Sequence, residues 1–205
     1  MERLAILGAS GHGKVVADAA ELMGWREIVF YDDAWPSKTE NGHWSVQGHT
    51  EQLIRQINQF EAVVVAIGNN RIRDQKTKFM IEKQWPLTTI IHPSAKLSRY
   101  AKVNKGSVIF ANAVINADTI IGYAAILNTN CGVDHDCRLA NAVHICPGAN
   151  IAGGVEIGDR SWLGIGCCVR QSITIGADVL VGAGAVVVSH IASQQTVMGN
   201  PAKVK

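Results

Sequence analysis

The sequence predicts two parts in order: a small α/β domain on a parallel sheet, then a coil of very short parallel strands. Three observations carry this. Every sixth residue from Ile91 to Val187 is aliphatic, strand-like and helix-like runs alternate before residue 88, and a glycine run follows the first apolar stretch. The expected domains are therefore 1–88 and 89–205.

In the first domain, Leu4 to Leu7 reads as a buried strand that ends in Gly8-Ala9-Ser10-Gly11-His12-Gly13. Lys14 to Met23 is a helix with an apolar face, and Ile28 to Tyr31 a second strand ending in Asp32-Asp33. Trp35 to Gly48, rich in polar and turn residues, reads as a loop. Gln52 to Phe60 is helical, Val63 to Ile67 a third strand with the exit turn Gly68-Asn69-Asn70, and Arg71 to Trp85 a further helix. A last strand, Leu87 to Ile91, leads into the repeats. Such alternation gives a parallel sheet.

The glycine run is a candidate phosphate cradle, because glycines let backbone approach an anion and a helix N-terminus favours negative charge. Its spacing is GxxGxG, not the dinucleotide GxGxxG, so a tight turn without ligand is the alternative. Asp32 or Asp33 lies where a carboxylate accepts ribose or base hydrogen bonds. A half-sized nucleotide fold suits a nucleoside diphosphate sugar better than an entire NAD.

In the second domain the series runs Ile91, Leu97, Val103, Ile109 and onward to Val187, seventeen aliphatics without a slip. At roughly one chance in three per site this is no accident. Four residues after the aliphatic sits a small one, as at Ala113, Thr119, Cys131, Cys137 and Ser161. One residue after it, Gly, Asn or Asp recurs, as at Asn116, Gly122, Asn128, Asp134, Gly158 and Gly164, and these types suit a positive-φ corner. A period of six fits a coil with three flat sides that stacks on its neighbours.

The bulk properties narrow the function. With a formal charge of +2 and no run of Lys or Arg, nucleic acid is not expected as the main partner. Met1-Glu2-Arg3 leads directly into an apolar run without the regions of a signal peptide. The longest apolar run, Val179 to Val188, is broken by glycines and far shorter than the roughly 20 residues of a membrane span. Cys131, Cys137, Cys146, Cys167 and Cys168 have no CxxC spacing and are expected as reduced, buried thiols, with no metal bound. A cytoplasmic location is expected.

General acid–base chemistry needs a side chain that titrates near neutral pH and neighbours that orient it. His135, flanked by Asp134 and Asp136, and His144 are the candidates within the repeats. In an eighteen-residue coil, nine residues place them half a turn apart, so they meet only if neighbouring subunits bring opposite faces together. A solvated corner histidine is the alternative.

Several segments together resemble the bacterial sugar acetyltransferases PglD and NeuD, members of the hexapeptide-repeat family. They are Gly8 to Gly13, Phe30-Tyr31-Asp32-Asp33, Ala66-Ile67-Gly68-Asn69-Asn70 with Ile72-Arg73, Ile91-His92-Pro93-Ser94-Ala95, Ile126-Leu127-Asn128-Thr129, Val133 to Cys137, Val143-His144-Ile145, Pro147-Gly148-Ala149 and Gly199-Asn200-Pro201-Ala202. The resemblance covers almost the whole chain and implies a left-handed parallel β-helix, a homotrimer and acetyl-CoA as co-substrate. It implies His135 as general base with Asp136 polarising it, and His144 and the Gly153 N–H near the thioester carbonyl. Asn128 would approach the acceptor sugar. Gly8, Ser10, Gly11, His12 and Gly13, with Gly68 and Asn69, would hold the sugar diphosphate, and Asp32 and Asp33 the uridine. Coenzyme A would touch Gly164, Ile165, Gly182 and Gly184. Some relatives carry Glu where this chain has Asp136, which is one methylene shorter.

The expected reaction is N-acetylation of a UDP-linked 4-amino sugar, as in bacillosamine-type routes. O-acetylation of a sialic acid is the second reading. A γ-type zinc hydratase needs two closely spaced histidines on one chain, which His135 and His144 are not. A non-catalytic solenoid is the remaining class.

Overall fold

The computed structural model describes residues 1–205 and divides into two compact units, Met1–Pro93 and Ser94–Lys205. The division falls after residue 93 and not 88 because Ile90–Ile91 packs on the first helix, where the Ile91 N–H approaches Met23 Sδ at 3.1 Å.

In the first unit β1 (Arg3–Leu7), α1 (Gly11–Leu22), β2 (Glu27–Tyr31), β3 (Glu40–Asn41), β4 (Trp44–Gly48), α2 (Thr50–Gln56), β5 (Ala62–Val65) and α3 (Asn70–Glu82) follow in order. The sheet order is β3-β4-β2-β1-β5, parallel except for β3 against β4. Ala5, Leu7, Val29, Tyr31, Leu53, Phe60, Val63 and Met80 form one buried cluster. Three expectations change here. The Trp35–Gly48 segment is not all loop: β3 and β4 form a hairpin, and the alternation in Trp44-Ser45-Val46-Gln47-Gly48 buries every second residue. The first helix starts at Gly11 and not Lys14, so the glycine run supplies its first turn. The Leu87–Ile91 strand is shorter than expected, with a single bridge from Leu87 to Val63 and a strand only at Ile90–Ile91.

The second unit is a left-handed β-helix of two-residue strands in three parallel sheets, ended by the three-residue strand Thr196–Met198 and its antiparallel partner Lys203–Val204. Each coil takes eighteen residues, so Ile126 pairs with His144 and His144 with Trp162. From Ile109 to Val187 every sixth aliphatic is at most 3 % exposed. The earlier three are partly open because fewer coils cover them. Buried hydroxyls tie successive coils together. Ser107, Thr119 and Ser161 each donate to a carbonyl fifteen residues on, at 3.0, 2.6 and 2.7 Å, and accept an N–H eighteen residues on.

The corner chemistry differs from the expectation. Positive φ falls three residues after the aliphatic, at Asn112, Asp118, Ala124, Asn130, Asp136, Ala142 and Arg160, and not one residue after it. At three positions of the latter column glycine is required for a different reason. A Cβ on Gly122, Gly158 or Gly164 would stand 2.5 to 2.6 Å from backbone of the next coil. One thiol also departs from expectation: Cys168 is exposed, because it ends up on the outward position of its strand, while the other four are buried.

Candidate active site

His135 sits at the corner after the Gly132–Val133 strand, exposed, with its Nδ1 2.7 Å from Asp136 Oδ2. A carboxylate can only accept, so Nδ1 carries the proton and Nε2 keeps its lone pair while the ring is neutral. The hydrogen bond to Asp136, then the charge of Asp134, hold the imidazole above its ordinary pKa. The backbone beneath is fixed from the coil above. Thr119 Oγ1 donates to Asp134 O at 2.6 Å and accepts from the Cys137 N–H at 3.1 Å, and Asn116 Nδ2 donates to Asp134 Oδ1 at 2.8 Å. One coil further on lies Gly153, where a Cβ would be 2.5 Å from His135 Cε1 and 2.6 Å from Nε2. Only a glycine leaves the ring this seat.

Half a coil away, His144 is 6 % exposed in the middle of another sheet. Its Nε2 lies 3.2 Å from Asn128 Nδ2, and its ring stands edge-on to Trp162 with centroids 4.2 Å apart. The structure thus joins Asn128 to His144 and adds Trp162, which sequence reasoning missed. Stepping eighteen residues from His144 would have found it. His135 and His144 stand on opposite sides of one prism, and no three His, Cys, Asp or Glu side chains converge as metal ligands. Among the cofactor candidates, Ile165 and Gly184 are exposed, and Gly184 has φ of +66° with open space around it. Gly164 and Gly182 have packing reasons of their own, against the Val181 carbonyl and the Met198 Cβ.

In the first unit a cavity of about 310 Å³ is lined by Gly8, Ser10, Asp32, Asp33, Gly68, Thr50 and Lys76, among others. Gly8 and Gly13 are fixed by the fold, since their Cβ atoms would meet Ala66 O at 2.6 Å and Gly8 O at 2.4 Å. Gly11 and Gly68 face open space, as an approach path for a ligand requires. No side chain caps the start of α1, and a helix N-terminus favours an anion. His12, in that first turn, has its pKa lowered to about 4 by burial and then by the Arg73 charge, and so is neutral at ordinary pH.

Asp32 and Asp33 part company. Asp32 spends both oxygens on the chain, accepting from Ala9 N–H at 2.7 Å and Ala34 N–H at 2.9 Å, so it ties the glycine turn down. Asp33 accepts from Thr50 N–H at 2.9 Å and faces Lys76 at 3.9 Å. Burial pushes its carboxyl up, but the Thr50 hydrogen bonds with the Lys76 and His49 charges outweigh this and lower its pKa. Asn69 caps α3, its side chain accepting from the Ile72 N–H at 3.0 Å. Arg73, 1 % exposed, was overlooked as a structural part: it donates to the Ile67 and Gly68 carbonyls at 2.9 and 3.1 Å and so shapes the turn.

Comparison with known proteins agrees with both units. The PglD N-terminal domain family matches residues 3–79, and the bacterial transferase hexapeptide (six repeats) matches 154–189. The acetyltransferase domain of PglB from Neisseria gonorrhoeae FA1090, solved with acetyl coenzyme A, is 43 % identical with a TM-score of 0.95, covering 99 % of this chain and 98 % of that one. The GDP-perosamine N-acetyltransferase of Escherichia coli O157:H7 is 30 % identical over 182 residues, 86 % of this chain and 81 % of that protein. The UDP-N-acetylbacillosamine N-acetyltransferase of Bacillus subtilis (strain 168) is 33 % identical over 115 residues, 54 % of this chain and 52 % of that protein. With a cavity at the glycine turn of one unit, an oriented imidazole in the other and these relatives, the chain belongs to the PglD-type acetyl-CoA-dependent sugar N-acetyltransferases.

Proposed function

We propose that the chain moves the acetyl group of acetyl-CoA onto the amine of a UDP-linked 4-amino sugar, with His135 as general base. The observation that carries this is the His135 corner, where Asp136 holds Nδ1 and Nε2 rests against Gly153. Nε2 takes a proton from the amine as its nitrogen attacks the thioester carbonyl carbon. The carbonyl π pair moves to oxygen, where the Gly153 N–H donates to it. The N–H groups on either side, of Ala152 and Gly154, are already engaged by Val169 O and His135 O. Collapse breaks the C–S bond, and the coenzyme A thiolate leaves with the proton from the imidazolium. The diphosphate lies at the start of α1 by Gly11, with neutral His12 as hydrogen-bond partner.

Asn128, His144 and Trp162 enter the same centre from a second copy of the chain. Since one prism holds the two clusters on opposite sides, a trimer with sites at its seams is the assembly that unites them. The first similarity to a GDP-perosamine enzyme favours a second reading, a GDP-linked amino sugar at the same site.

Acetyl transfer to UDP- and GDP-linked 4-amino sugars, followed by thiol release, tests both. His135→Ala is expected to lower kcat by about 10²–10⁴-fold with the assembly retained in sedimentation. Unchanged turnover would remove His135 as the base, and activity with GDP-sugars alone would replace the UDP reading by the second.

A further inference from the structure

The first-unit cavity carries a charged pair that acetyl transfer does not use. Lys76, on the second turn of α3, reaches Asp33 at the end of β2, with Nζ 3.9 Å from Oδ2 and 3.4 Å from Thr50 Oγ1. A part-exposed pair at that distance contributes little to stability. Asp33 is held in place, since its Oδ1 already accepts the Thr50 N–H at 2.9 Å. The pair therefore offers the cavity a fixed acceptor beside a donor.

We propose that Lys76 and Asp33 together read the keto–imino edge of the nucleobase, Lys76 donating to the 4-oxo group of uracil and Asp33 accepting from its N3–H. This rests on the nucleotide-sugar reading above. The end of the second strand is the base and ribose side of such a fold, whereas the diphosphate belongs at the start of α1. A phosphate at Lys76 would meet the Asp33 carboxylate, so the pair selects for a neutral group with one acceptor and one donor. Lysine has three donors and no acceptor, and ionised aspartate only accepts. Cytosine inverts both positions, with an amino donor facing the ammonium and a bare N3 facing the carboxylate. Guanine, through its 6-oxo group and N1–H, presents the same order as uracil. The pair thus separates uridine or guanosine carriers from cytidine ones, and Lys76 is a specificity-determining residue.

Calorimetric titration of the full chain with UDP and with CDP, before and after Lys76→Met, tests this. UDP is expected to bind at least about ten-fold more tightly than CDP, because mismatched polar groups stay unpaired. Lys76→Met should bring UDP down to the CDP level and leave CDP no weaker. Equal affinities in the wild type overturn the proposal, as does absence of binding by either nucleotide. So does a variant that keeps the ratio, and one that weakens both equally, which would make Lys76 a phosphate contact. Turnover of GDP-sugars alone would sink the uridine substrate and leave the UDP-to-CDP ratio standing, so the two failures are distinguishable.

Discussion

Asp136 governs how basic His135 is. The bonded carboxylate and the neighbouring Asp134 raise the imidazole pKa, and the general base proposed above must start as the neutral ring. The acid limb of kcat/KM against pH is therefore expected above the ordinary histidine range of about 6.5. Asp136→Asn keeps a residue that tolerates the φ of +59° at this position but removes the charge. Its limb should move to lower pH and its plateau should fall, since a weaker base accepts the proton less well. A limb that stays put would detach Asp136 from the base. The contact between His135 and Asp136 was legible because the pair is contiguous in the chain. Asp32 was not, because its oxygens are consumed by Ala9 and Ala34 backbone, a purely tertiary fact. Lys76 meets Asp33 across 43 residues of sequence, and no motif announces that.

Coils act as the elements here, and their register decides what each column tolerates. Gly153→Ala is the direct probe, for its Cβ would lie 2.5 Å from the His135 ring. The ring is the mobile end of a side chain, so it swings aside and the backbone is kept. The expectation is a kcat lowered at least about ten-fold by the misplaced base, with little change in Tm. A kcat equal to wild type would show that the ring has no need of its seat. The sixfold aliphatic series made the coils legible, since one inward side chain per flat side is a sequence-local rule. The positive-φ position was misplaced by two residues, because Asp118, Ala124, Ala142 and Arg160 occupy it as readily as glycine does. Closely stacked neighbours override intrinsic preference at such corners. The β3–β4 hairpin was missed because β3 has only two residues and β4 carries polar residues at alternate positions.

For the whole molecule, the half-coil offset between His135 and His144 predicts complementation between chains. His135→Ala and His144→Ala chains, each impaired alone, are unfolded together, refolded as a mixture and assayed. In a cyclic trimer every mixed assembly regains one seam with His135 from one copy and His144 from the next, which restores about a quarter of the wild-type rate. Activity no greater than the sum of the two parents would place both histidines in separate centres.

Fixed pitch also constrains how such a chain can change length. His135 and Gly153 are neighbours only because one coil separates them, and Thr119 reaches Cys137 by the same spacing. Loss or gain of a single residue between them would rotate every later side chain out of its column, from interior to solvent. Whole eighteen-residue steps alone leave the columns aligned, so lengthening at either end is tolerated while the rungs around position 135 are locked in count.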